Sequence, residues 1–128
     1  MPTESQEDIT LYILPAGKTP RAGGGRWAVK KWLAGVNQGF TIKEYDETSG
    51  HVAKNVSGYT VTVKAKQGTT TLISGEATIA NATLGHVYYT VKSGDFPYVG
   101  RAEYGVELTM SGVKLYSETY PLQIGRVL

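Results

Sequence analysis

The chain has 128 residues, 13 basic and 11 acidic side chains for a formal net charge of +2, and no cysteine. This length suits one domain with a core large enough to stand unaided, and the missing thiols exclude disulfides and thiolate metal sites. The small charge weighs against nucleic acid as the main partner. No apolar run approaches the ~20 residues that span a bilayer. Glu4, Glu7 and Asp8 near the N-terminus are the reverse of the basic-then-apolar order of a secretory leader.

In chain order, residues 1–8 are polar, and Ile9 to Leu14 reads as a short strand with Ile9, Leu11 and Ile13 on one face. Pro15 to Gly25 contains two prolines and several glycines, so it reads as an exposed loop. Gly23-Gly24-Gly25 lacks both the Lys-Ser/Thr of a P-loop and the spacing of a dinucleotide fingerprint, which disfavours a phosphate cradle. Arg26 to Val36 fits two periods. Val29, Trp32, Leu33 and Val36 share a helical face, whereas Trp27, Val29 and Leu33 share a strand face, and an extended arm is the favoured reading.

From Gly39 onwards short strands alternate with glycine turns. The strands fall at Phe40 to Tyr45, Tyr59 to Lys66, Thr69 to Ser74 and Ala77 to Ala80. They continue at His86 to Lys92, Arg101 to Met110, Val113 to Tyr116 and Tyr120 to Val127. Val61, Val63 and Ala65 oppose Thr60, Thr62, Lys64 and Lys66, and the same two-residue period recurs at Val87, Tyr89 and Val91. Such alternation buries one face of each strand and wets the other. The expectation is an all-β antiparallel sandwich of about seven or eight strands over residues 39–128, preceded by an extended N-terminal arm over residues 1–38.

The order of these turns resembles the immunoglobulin-like domain at the N-terminus of phage baseplate upper proteins, with related domains in other phage tail and head proteins. The resemblance rests on Gly58-Tyr59-Thr60-Val61-Thr62-Val63 and Gly75-Glu76-Ala77-Thr78-Ile79. It runs on through Ala82-Thr83-Leu84-Gly85-His86-Val87-Tyr88-Tyr89, Gly100-Arg101-Ala102-Glu103-Tyr104 and Leu122-Gln123-Ile124. It covers about two-thirds of the chain and leaves nearly forty N-terminal residues unaccounted for. It implies an immunoglobulin-like β-sandwich acting as a virion assembly module made in the host cytoplasm. One sandwich plus an arm fits a small accessory subunit: a capsid decoration protein, head-fibre base, or neck, tail or baseplate accessory.

The residues supply little for catalysis. No Gly-x-Ser-x-Gly elbow is present, and a nucleophile would need a base and an orienting group that the sequence does not bring together. His51 and His86 lack Cys or His-x-His partners, so surface histidines are favoured over a metal site. Asp46-Glu47 sits in a turn, where carboxylates usually cap backbone donors rather than hold calcium. No enzyme activity, cofactor or metal is expected.

The basic segment is more informative. Lys18, Arg21, Arg26, Lys30 and Lys31 occur with no acidic residue among them, and Trp27 and Trp32 are interleaved. Tryptophan and arginine are preferred interface anchors, so a docking arm is favoured over self-packing, and both over single-stranded nucleic acid. The candidate partner-binding residues are Ile9, Leu11, Ile13, Arg21, Arg26, Trp27, Lys30, Lys31 and Trp32, with other virion proteins as partners and a multi-copy or homo-oligomeric state. The rival expectation is a carbohydrate- or receptor-binding module that uses Tyr88, Tyr98, Tyr116 and Tyr120 as an aromatic surface.

Overall fold

A computed structural model describes residues 5–15, 17–18, 37–92 and 100–124. Within them the strands are β1 (Ser5–Tyr12), β2 (Asn37–Asp46), β3 (Gly50–Ala53), β4 (Thr60–Gln67) and β5 (Thr70–Glu76). They continue as β6 (Thr78–Asn81), β7 (His86–Thr90), β8 (Gly100–Met110), β9 (Val113–Tyr116) and β10 (Tyr120–Ile124). The first sheet has the order β1-β2-β7-β6 with β3 also on β2, and the second β10-β8-β4-β5 with β9 also on β8. Packed face to face, they make the expected all-β sandwich.

The alternation that predicts the strands also fills the core. Val61, Val63 and Ala65 from β4 and Ala102, Tyr104, Val106 and Leu108 from β8 meet Phe40 and Ile42 from β2 and Val87 and Tyr89 from β7. Two elements take the described strands to ten, beyond the seven or eight expected. β1 joins the first sheet from the segment read as an arm, and the stretch after Ser49 is strand β3 rather than loop, pairing Gly50–Ala53 with Lys43–Asp46. The Asp46 carboxylate closes that hairpin by accepting the N–H groups of Thr48 at 2.7 Å and Ser49 at 3.1 Å. This is the capping use read for it from the sequence.

Pairing is antiparallel throughout the described sheets except between β1 and β2, which run parallel from Ile9↔Phe40 to Tyr12↔Lys43. Each flank of the sandwich is crossed by backbone. On one flank, the chain passes from β5 to β6 through buried Ala77, whose N–H donates to Val61 O at 2.8 Å. On the other, the end of β1 leaves the first sheet and joins the β9–β10 connection: Leu14 N–H donates to Tyr116 O at 2.8 Å, and Glu118 N–H to Tyr12 O at 3.0 Å.

The turn before β7 presses directly on β2. Gly85 is buried at φ +70°, and its carbonyl accepts Ile42 N–H at 2.9 Å. A Cβ there would lie 2.4 Å from Ile42 O and 2.7 Å from Lys54 O, both backbone atoms with no freedom to swing away. Left-handed strain and a backbone clash therefore coincide. Gly85→Ala should cost roughly 2–4 kcal/mol, read as a fall in Tm of about 5–15 °C by circular dichroism. An unchanged Tm would contradict this packing.

Candidate partner-binding surfaces

The sequence assigns Ile9, Leu11 and Ile13 to a strand offered to a partner, but the structure commits them to their own sandwich. Leu11 is 0% exposed and Ile9 is buried, both in the core, while half-buried Ile13 packs against it. Ile13 N–H donates to Lys43 O at 2.8 Å, and Ile13 bridges Ser117. Their side chains are spent on internal contacts, because β1 extends the first sheet and its end meets the second sheet's β9–β10 break. Thus the short strand expected within the N-terminal arm belongs to the sandwich.

That break is built around Ser117. Its buried Oγ accepts Val106 N–H at 2.9 Å and donates to Glu118 O at 2.8 Å. Opposite it stands Gly105, where a Cβ would approach Ser117 Oγ to 2.8 Å. Tyr120 completes the seam from below, its hydroxyl accepting Tyr12 N–H at 3.0 Å and lying 3.5 Å from Glu118 Oε2. Its ring centroid is 5.7 Å from that of Tyr104, which in turn tilts towards Phe40 at 6.3 Å.

Burial pushes the Tyr104 hydroxyl well above the ordinary tyrosine pKa of 10.0, with Tyr120 nearby adding to the shift. Burial also raises Tyr120; the Tyr12 N–H opposes this and the Glu118 carboxylate reinforces it.

Arg21, Arg26, Trp27, Lys30, Lys31 and Trp32 lie outside the described residues. The described ends of their segment are informative, however. Because β1 and β2 are adjacent and parallel, the chain leaves one end of the sheet after Tyr12 and re-enters at the other end at Asn37. The six residues therefore belong to a connection anchored at both ends, and parallel pairing requires such a crossover.

The tyrosines proposed as one aromatic platform are divided. Tyr120 is buried, and Tyr88 and Tyr116 stand at outward positions on opposite sheets, opposite Gly39 and Glu107 respectively. Tyr98 lies outside the described residues. A different cluster forms on the outer face of the first sheet. His51 contacts Tyr12 edge-on at 4.6 Å between ring centroids and Tyr45 at 5.8 Å. Sequence reasoning missed it because Tyr12 arrives from a distant strand, although the β2–β3 hairpin register sets His51 opposite Tyr45.

The outer face of the second sheet is charged instead. Glu107, largely covered, takes the exposed Lys64 at 3.0 Å and Lys114 at 3.4 Å, a surface ladder of small energetic weight. Among the described residues no three His, Asp or Glu side chains converge as a metal site, and no helix is long and apolar enough to cross a membrane.

These features define a two-sheet, all-β sandwich. No protein-family model matches the chain, and no curated protein matches it. Among solved structures, it is similar to the N-terminal domain of phage TP901-1 ORF48, at 16% identity and a TM-score of 0.63. The likeness covers 97% of this chain and 99% of that one, so it takes in the N-terminal residues that the sequence pattern left aside. At this identity it establishes a shared sandwich fold.

Two measurements follow. Leu11→Ala should destabilise the isolated protein by about 3 kcal/mol in urea unfolding, because it opens a core cavity, and a cost near zero would return β1 to the surface. Neutral Tyr104 and Tyr120 contribute stability that is fully present below pH 10.0, their ordinary value, and is lost as pH rises towards their raised folded values. Urea midpoints should therefore fall between about pH 9 and about pH 11, and fall less in Tyr120→Phe. An equal fall in both proteins would remove Tyr120 from the effect.

Proposed function

We propose that this chain is a non-enzymatic structural subunit of a phage virion, docking to neighbouring subunits through its sandwich faces and its β1–β2 connection. The observation that carries this reading is the reciprocal coverage with the TP901-1 ORF48 N-terminal domain, which takes in almost the whole of both chains. The residue chemistry agrees with it: the described side chains are spent on a core, a surface charge ladder and capped turns. In this reading Arg21, Arg26, Trp27, Lys30, Lys31 and Trp32 are the docking anchors, since Trp and Arg carry a large share of interface energy. Anchoring both ends of their segment lowers the ordering cost on contact relative to a free terminus. The positions available to it in a particle are capsid decoration, head-fibre base, neck or baseplate accessory. Glycan recognition is the weaker reading, because the tyrosines proposed for it are split between the core and opposite faces.

The test is density-gradient purification of phage particles from the source lysate, with the chain quantified by mass spectrometry across the gradient. A fixed ratio to the major particle proteins is expected, and its presence in the soluble fraction alone would contradict the proposal. Rebinding to particles depleted of the chain then addresses the anchors. The full-length Trp27→Ala/Trp32→Ala variant should bind at least about tenfold more weakly. Unchanged rebinding would remove the connection from the docking surface.

A further inference from the structure

Among the described side chains, which leave out Glu7 and Asp8 of β1, the two outer faces of the sandwich differ in charge. At outward strand positions the second sheet carries Lys64 and Lys66 from β4, Arg101, Glu103 and Glu107 from β8, and Lys114 from β9. On the first sheet, Lys43 is the one formally charged group among the described outward side chains of β1, β2, β3, β6 and β7. Tyrosine, histidine, threonine and small residues fill the rest, including Tyr12, Tyr45, His51 and Tyr88. Tyr45 is 67% exposed, the largest exposure among the big apolar side chains described. Solvated faces of small domains usually mix both charge signs, whereas interfaces are rich in aromatics and poor in Lys and Glu.

We propose that the outer face of the first sheet is a self-association surface, packing against the same face of a second copy of this chain around a two-fold axis. Two properties select a second copy. With one formal charge among its described side chains, the face meets itself with little like-charge repulsion, which matters because an isologous contact sets each patch against its twin. Its size also suits a dimer. Its five strands, about 4.8 Å apart and averaging about six residues at ~3.3 Å each, outline roughly 500 Å² in flat projection. The corrugated accessible area is larger, and so of the order of the ~800 Å² per partner of a stable complex. At the Tyr12 end the described chain turns away from the face, Leu14 bonding Tyr116 of the second sheet. This inference stands apart from the virion reading, since it concerns the purified protein alone.

The test is sedimentation velocity of the full chain across a concentration series to about 200 μM, beside two variants of the face and one control. Tyr45→Lys and Thr90→Glu alter exposed outward positions of the first sheet, and Thr60→Glu alters an exposed outward position of the second. All three sites are exposed. Thr90→Glu gives up the hydrogen bond its hydroxyl donates to Asn37 Oδ1 at 2.6 Å, and Tyr45→Lys the ring contact with His51. Circular dichroism melts should therefore fall by no more than about 5 °C, and every variant should remain folded at the temperature of the run. The wild type is expected to dimerise with a micromolar dissociation constant. Each first-sheet variant should weaken this by about tenfold or more, and Thr60→Glu should leave it unchanged. A wild type that stays monomeric overturns the proposal. So does a dimer that survives both first-sheet variants, or one that Thr60→Glu disrupts equally.

Discussion

The fold depends on β1 occupying the flank between the two sheets. Without it, β2 would expose a free edge and the core side chains Phe40 and Ile42 would lose Ile9 and Leu11 as neighbours. The β9–β10 break would also keep half-buried backbone groups without their partners, since Tyr12 and Leu14 satisfy Glu118 N–H and Tyr116 O. Removing such partners in a half-buried seam costs more than the bonds themselves contribute. One short segment thus supplies apolar burial to one sheet and hydrogen bonds to the other, and a two-layer core becomes a closed unit.

Placing β1 inside the sandwich also changes where partner contacts can arise. A free strand could offer a neighbour both its edges and its apolar face, whereas β1, at the edge of the first sheet with Leu11 fully buried, has only its outer backbone edge left to offer. Among the described residues, what the sandwich itself presents is its two outer faces and the outer edge of β1. Those faces are chemically unlike. The Lys64–Glu107–Lys114 ladder suits water, and the Tyr12–His51–Tyr45 cluster suits contact with another protein surface.

Much of the sandwich was legible in the sequence because a two-residue period is a local signal. Val61, Val63 and Ala65 announce a buried face whatever lies opposite, and Ser111-Gly112 announces the hairpin that joins β8 to β9. What was not legible was non-local. The apolar positions at 9, 11 and 13 define a face but not the sheet that receives it, so a strand of the core could be taken for a docking strand. The four residues of β3 carry too short an alternation to stand out from a turn. The tyrosines at 88, 116 and 120 look equivalent in sequence, yet register sends the first two to opposite surfaces and the last into the core. Of the candidate site, the basic-aromatic composition of residues 18–32 was readable, whereas its attachment at both ends follows from the parallel pairing alone.

The most direct test of β1 as an integral strand is native-state hydrogen exchange on the full-length protein, comparing the amides of Leu14 and Ile13 with those of Val61 and Val63. If β1 closes the sandwich, the Leu14 and Ile13 amides, bonded to Tyr116 and Lys43, exchange through the same global unfolding as the β4 amides, with matching free energies and denaturant dependence. If they exchange through a low-energy local opening while β4 stays protected, β1 is a detachable strap, and its role as the element that closes the sandwich is contradicted.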